Sequence, residues 1–251
     1  MADLTTFAGT FNRSAAADEP GMELYVRSYL LIRTVVGVLG IALPLVLIVG
    51  ESFFLKGSAE VRGSLSAYYH SPMRDFFVGS LCVIGVLLIT YMAARVNADF
   101  WASLVAGVFL IGVAFIPTER PGISDTAPPC GTDPKPPDCA SVQQLLGEVW
   151  SARIHYTCAA IALVSLAVIA FLFAWREKHF AESHRLYTFH LGCCIAIVAG
   201  LLLAVAGEAH HFTIWVLTPL YIGEVVAVLA FGLGWLVKGW DLWKALVPGS
   251  G

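Results

Sequence analysis

Charged residues are scarce in this chain: they make up 13% of its 251 residues, whereas 58% of the residues are hydrophobic. Soluble domains carry about 25% charged residues. The chain therefore has too few charged groups to cover a globular surface, and part of its surface is expected to face lipid. The net charge is -3 and Lys and Arg are thinly spread, so no basic patch suggests nucleic-acid binding.

Other features that the sequence lacks exclude several function classes. It contains no Walker-type phosphate loop and no Gly-x-Ser-x-Gly nucleophile elbow. A retinal protein needs a lysine deep in a span, and here only Lys238 lies at the end of one. A bis-histidine haem protein needs paired histidines at one depth, whereas His155 and His190 are expected at different depths. Residues 1–23 lack the apolar region of a cleavable signal peptide.

Six apolar segments are long enough to cross a bilayer, which takes roughly 20 residues. They cover residues 30–49, 76–94, 100–116, 154–175, 186–206 and 214–237. The sequence thus predicts an all-α polytopic membrane protein with a bundle of six transmembrane helices in residues 29–239. A disordered cytoplasmic tail (1–28) and a second cytoplasmic tail (240–251) would flank the bundle. Small residues such as Gly107 and Gly200 are expected at close helix contacts.

Basic residues and cysteines predict the orientation of the bundle. Nine of the fifteen Lys and Arg residues belong to one side, which the positive-inside rule assigns with both termini to the cytoplasm. They are Arg13, Arg27, Arg33, Arg95, Arg176, Lys178, Arg185, Lys238 and Lys244. Cys130 and Cys139 lie in a Pro-rich loop on the other side, where a disulfide would require an oxidising compartment. Both indications fit a bacterial inner membrane protein with this loop outside.

The densest group of polar side chains lies between the first two spans. Ser66 and His70 are four residues apart and would share one face of a helix. Pro72 would end that helix and leave Arg74 and Asp75 at the lip of the second span.

The same stretch allows a purely structural interpretation. It could be a short interfacial helix in which Tyr68 and Tyr69 anchor to lipid headgroups, with Asp75 as a helix cap.

Histidines and carboxylates collect at the same membrane level and suggest a zinc site. The candidates are four histidines and two carboxylates: His70, His155, His210, His211, Asp75 and Glu208. Catalytic zinc takes about three such ligands and activates a bound water. Asp75 or Glu208 would then act as the general base, and Ser66 would stabilise the intermediate. The alternative is that His210 and His211 are passive loop residues.

Glu224 is expected near the middle of the sixth span, where an acidic side chain is either functional or a helix-packing residue. The polar residues support two hypotheses of function. The first is a metal-dependent hydrolase that acts on a lipid or headgroup at the outer membrane face. The second is a non-enzymatic lipid- or partner-binding protein or small transporter, in which Arg74, Asp75, His155 and Glu224 hold the bundle together or line a cavity.

Several stretches resemble a known family. They are SLSAYYHSPMRDFFVG (64–79), FIPT (115–118), IHY (154–156), Glu224 and FGLGWLVKG (231–239). Over residues 29–239 the chain resembles a bacterial six-span membrane protein family that carries a domain of unknown function, distantly similar to the Frag/DRAM/Sfk proteins. The resemblance implies a six-span fold and no particular activity.

A second resemblance is to the alkaline ceramidase group of membrane metal-hydrolases. These enzymes use Ser-x-x-x-His near one span, an Asp further on and a His-x-x-x-His pair in the last span. Ser66 and His70 match the first element, and the resemblance implies zinc held by histidines. This sequence departs from the pattern, because Asp75 comes sooner and only His210 and His211 precede the last span. The group also has seven spans.

Overall fold

The computed structural model describes residues 20–55, 61–91, 96–121, 127–181, 183–210, 213–214 and 217–246. These residues form seven α-helices and no β-strand, which confirms the all-α prediction. The helices are α1 (Pro20–Phe54), α2 (Arg74–Thr90), α3 (Ala98–Phe115), α4 (Ser141–Leu146), α5 (Glu148–Arg176), α6 (His184–His210) and α7 (Pro219–Leu246). A 3-10 helix (Ser66–His70) precedes α2, and a π-helical turn (Glu177–Ala181) extends α5.

Five of the helices, α1, α3, α5, α6 and α7, are long and apolar enough to cross a membrane. The remaining predicted span, α2, has 17 residues. At 1.5 Å per residue it is about 26 Å long, slightly shorter than a typical hydrocarbon core of about 30 Å. Large apolar side chains such as Leu45, Val168 and Leu202 are exposed on the long helices, as expected for surfaces that face lipid.

The helix boundaries differ from the predicted segments at both termini and before the last span. α1 already begins at Pro20 and α7 continues to Leu246, so helix extends into both segments predicted as tails. Residues 1–19 and 247–251 lie outside the described part of the chain. The last span was expected from residue 214, but α7 begins at Pro219, and the backbones of Ile214 and Leu217 pair with each other before it.

The six long helices pack side by side and close into a ring. Each one contacts the next in the chain, and α7 returns to α1. At one end, which we call the disulfide end, the 3-10 helix, the loop with Cys130 and Cys139, and the start of α7 lie together. At the opposite end, Arg33 of α1 contacts Tyr91 after α2 and the end of α7. Since α2 begins at the disulfide end and leads to Tyr91, it runs from one end of the bundle to the other.

Glycine pairs allow several of these helices to approach closely. A methyl group added at Gly200 in α6 would lie 2.5 Å from the carbonyl oxygen of Gly223 in α7, and one added at Gly107 in α3 would collide with the carbonyl oxygen of Gly85 in α2. The predicted close contacts at Gly107 and Gly200 are therefore confirmed. Such backbone proximity replaces the hydrophobic effect as a source of helix association in lipid.

We expect Gly200→Ala to destabilise the α6–α7 contact, because the new methyl group meets a backbone oxygen that cannot rotate away. Overpacking of this kind costs about 1–3 kcal/mol. The midpoint of thermal unfolding in detergent, followed by tryptophan fluorescence, should fall. Gly192→Ala is the matched control on the same helix, since nothing lies within 4 Å of its added methyl group. An unchanged midpoint for Gly200→Ala would contradict the close packing.

Candidate functional site at the disulfide end

The polar stretch before α2 forms a 3-10 helix that is buried in the end of the bundle. Ser66 is 3% exposed and its Oγ lies 3.1 Å from Oγ of Ser64, which also accepts the Ala67 amide. A 3-10 helix has three residues per turn, so side chains four apart point about 120° away from each other. The prediction that Ser66 and His70 share a helix face is therefore wrong.

The two tyrosines of this stretch are buried in the protein. Tyr68 is 0% and Tyr69 6% exposed, so the alternative in which they anchor an interfacial helix is also wrong. They face inward because the segment folds into the apolar cluster around Leu47 and Phe77. The expected break at Pro72 is confirmed, since α2 begins two residues later.

Glu224 holds this 3-10 helix in place. Its Oε2 accepts a hydrogen bond from the Leu65 amide at 2.6 Å, and the Ser66 amide lies within reach of the same carboxylate. Thr218, just before α7, also donates to the carbonyl oxygen of Gly63. Because α7 begins at Pro219, Glu224 lies in the second turn, and its predicted position near the middle of the span is wrong. The carboxylate acts as a cap for a neighbouring segment.

His70 and His155 both bind the segment that follows α3. His155 is 1% exposed and its Nδ1 donates to the carbonyl oxygen of Ile116 at 2.5 Å. The Nε2 of His70 donates to the carbonyl oxygen of Thr118 at 3.1 Å. Pro117 lies between these two acceptor residues, just after the end of α3. Its carbonyl oxygen accepts a hydrogen bond from Ser151 of α5. The two imidazoles are near enough to interact electrostatically.

The zinc-ligand set is not assembled within the part of the chain that the structure describes. No group of three or more His, Cys, Asp or Glu side chains suited to a metal occurs among those residues. His70 and His155 come together, but the side chains of Glu208 and His210, and the whole of His211, lie outside the described part. The predicted four-histidine site thus stays a prediction.

Two adjoining grooves open beside Arg74 at the start of α2. The guanidinium group stacks 4.3 Å from the ring of Tyr69 and donates to its hydroxyl at 2.7 Å. Both side chains line both grooves. The first groove, of about 310 Å³, lies between α2 and α3 and is also lined by Asp75, Val78, Gly79, Ala114 and Phe115. The second, of about 400 Å³, is also lined by His70, Ser71, Pro72, Asp138, Cys139 and Ala140.

One wall of the second groove is formed by the loop that contains Cys130 and Cys139. A disulfide and several hydrogen bonds hold this loop together. Cys130 and Cys139 lie at disulfide distance, with their sulfur atoms 2.11 Å apart, in agreement with the predicted pairing. Arg120, 8% exposed, binds both carboxylate oxygens of Glu148 at 3.0 and 3.1 Å, and the Cys130 amide donates to the same carboxylate at 3.2 Å. In the sequence Arg120 is simply a basic residue on the predicted outer side. No spacing pattern indicates that it pairs with Glu148, which lies 28 residues later.

The opposite end contains buried charges that were not predicted as site residues. Arg33 is 3% exposed and donates to the hydroxyl groups of Tyr29 at 2.7 Å and Tyr91 at 2.6 Å, and to the carbonyl oxygen of Lys238 at 3.1 Å. Two ion pairs join helices here: Lys238 with Glu177, and Arg176 with Asp99. The sequence does contain one indication of this cluster, because Arg33 lies within an apolar segment. A charged side chain at that depth needs a polar partner.

Comparison of the chain with protein-family models, with curated proteins and with solved structures gives no match. The two family resemblances therefore stay predictions, and any function assigned to the chain depends on the geometry of the described residues alone.

We expect Glu224→Ala to release the 3-10 helix without unfolding the bundle. Loss of the acceptor for a buried backbone amide costs about 1–3 kcal/mol, so the Leu65 and Ser66 amides should exchange their hydrogens about five- to a hundredfold faster. Hydrogen–deuterium exchange with mass spectrometry measures this.

Glu148→Ala is the matched control for that experiment, because it removes a carboxylate from the disulfide loop instead. It should accelerate exchange at Arg120 and Cys130, whose amides bind Glu148, and leave Leu65 unchanged. Equal protection of Leu65 with and without Glu224 would show that the carboxylate does not cap the segment.

Proposed function

We propose that this chain is a lipid-binding membrane protein that holds a phospholipid beside Arg74 at the disulfide end. The observation that supports this most is the position of the Arg74 guanidinium beside an apolar groove. Val78, Ala114 and Phe115 offer an apolar wall between α2 and α3 for an acyl chain. Arg74 stands where that groove meets the more polar one and can bind the lipid phosphate with two donors.

The role of Arg74 follows from its charge state and its spare donors. It is exposed, and none of the ion pairs among the described residues involves it. Its hydrogen bond to Tyr69 uses one of five N–H donors and fixes the direction of the guanidinium plane. A phosphate that approaches from the bilayer therefore meets an oriented cation, so little entropy is lost on binding.

We also propose that the chain crosses the membrane six times with both termini in the cytoplasm. The placement of α2 supports the sixth crossing, since this helix packs between α1 and α3 and leads from Arg74 at the disulfide end to Tyr91 at the other. The disulfide and the excess of basic residues on the opposite side support an outer position for the grooves. The bound lipid would then belong to the outer leaflet of a bacterial inner membrane.

Loss of the cation should weaken lipid binding. A charged hydrogen bond contributes about 1.5–3 kcal/mol, so Arg74→Gln should lower the affinity for phospholipid about ten- to a hundredfold. Native mass spectrometry of the purified protein, titrated with a defined phospholipid, measures the bound fraction. Arg153→Gln is the control, because Arg153 stacks on Trp150 away from both grooves.

A second substitution tests the groove independently of the charge. Nothing lies within 4 Å of a methyl group added at Gly79, so Gly79→Leu should fill the apolar groove without disturbing the fold. It should abolish the lipid adduct, whereas Gly192→Leu, at an equally open position on α6, should not. Unchanged binding in both Arg74→Gln and Gly79→Leu would overturn the proposed function.

The geometry of His70 and His155 favours a second candidate, a zinc-dependent hydrolase that acts on the same class of lipid. Each imidazole donates one ring N–H to a backbone carbonyl oxygen and keeps its other nitrogen available. Metal-binding histidines are commonly oriented in this way. Asp75, which lines the adjacent groove, could serve as the base for a metal-bound water.

Metal analysis separates the second candidate from lipid binding alone. Protein purified without chelator should contain one zinc ion per chain, and His70→Gln should lose it, because one of the ligands is gone. His179→Gln is the control, since this histidine is exposed and bonds within its own helix at the opposite end. Zinc-free protein, or full zinc content in His70→Gln, would exclude the hydrolase.

A further inference from the structure

The two grooves beside Arg74 contain more negative than positive charge. Their charged lining residues are Arg74, Asp75 and Asp138. Asp75 and Asp138 are both exposed, and no ion pair among the described residues involves either of them. One cation thus faces two carboxylates.

This charge pattern discriminates between phospholipid headgroups. A lipid whose only charge is the phosphate would satisfy Arg74 and leave both carboxylates beside added negative charge. A zwitterionic headgroup with an ammonium group adds no net negative charge, and it offers its phosphate to Arg74 and its ammonium group to a carboxylate. The ammonium group of ethanolamine also carries three N–H donors that carboxylate oxygens can accept.

We propose that the lipid held at this site carries an ammonium headgroup, as in phosphatidylethanolamine, with its phosphate on Arg74 and its ammonium group beside Asp138. This rests on the lipid-binding function proposed above. Asp138 lines the polar groove together with Cys139 and is not among the residues that line the apolar groove, which would take the acyl chain. Asp75 lies at the rim of the apolar groove and adds to the negative field.

The position of Asp138 suits a residue that selects a headgroup. Its backbone has φ of 66°, a left-handed conformation that Asp tolerates better than most residues, and the disulfide at the next residue restrains it. Arg120 binds the carbonyl oxygen of the preceding Pro137 at 3.1 Å, so both neighbours of Asp138 are held. The carboxylate is therefore presented to the groove by a fixed backbone.

A competition experiment tests the proposal with the full-length protein in detergent. An equimolar mixture of phosphatidylethanolamine and phosphatidylglycerol with identical acyl chains is added, and the two adducts are counted by native mass spectrometry. Because exposed ion pairs contribute modestly, we expect roughly a two- to fivefold preference for phosphatidylethanolamine. Asp138→Asn should reduce the ratio towards one, mainly by strengthening phosphatidylglycerol binding. Asp133→Asn, an exposed position in the same loop that does not line the grooves, should keep the preference.

The outcomes distinguish this inference from the function on which it rests. Equal binding of both lipids by the wild type, or a preference that survives Asp138→Asn, overturns the headgroup assignment. If Arg74→Gln still weakens the adducts and Gly79→Leu still abolishes them in that case, the lipid site stands without its selectivity. If those two substitutions have no effect, the site itself is wrong and the headgroup proposal falls with it.

Discussion

Backbone N–H and C=O groups at or beyond the end of a helix lack a hydrogen-bond partner within that helix. Inside an apolar bundle they must bond to side chains of neighbouring helices, because lipid offers neither donors nor acceptors. This constraint accounts for most of the polar side chains at the disulfide end. The carbonyl oxygens of residues 116–118 are bound by His155, Ser151, His70 and Gln143. The amide of Leu65 is bound by Glu224.

The same constraint explains which features the sequence could predict. Apolar length and composition identified the helices, and small residues identified the contacts at Gly107 and Gly200, because both properties are local to one segment. The partner of a histidine or carboxylate lies on another helix, so its role depends on how the helices pack. Ser66 was expected to stabilise a reaction intermediate, and Glu224 to be either functional or a helix-packing residue, because an acidic side chain in a span is costly. In the structure the Ser66 hydroxyl lies beside that of Ser64, and Glu224 accepts the Leu65 amide.

Side chains whose donors or acceptors are not used by the fold remain available for a ligand. Arg120 and Glu148 satisfy each other and the loop around them, and Arg33 is surrounded by tyrosines and a carbonyl oxygen. Arg74, Asp75 and Asp138 differ from these groups, since they line open grooves and form none of the ion pairs among the described residues. Exposed charges that line a groove and form none of these ion pairs are therefore a better guide to the site than the number of histidines.

The walls of the two grooves differ in how firmly they are held, because only the polar groove is bounded by the disulfide loop. The apolar groove lies between α2 and α3, whose close contact at Gly85 and Gly107 fixes its walls. The polar groove has one wall on the 3-10 helix and the other on the loop that ends at Cys139, and loops are held less firmly than packed helices. A cross-link reduces the freedom of such a loop. If the protein binds a lipid as proposed, the acyl-chain wall would depend on helix packing, whereas the headgroup wall would depend on oxidation of Cys130 and Cys139. Headgroup selection would then require an oxidising compartment.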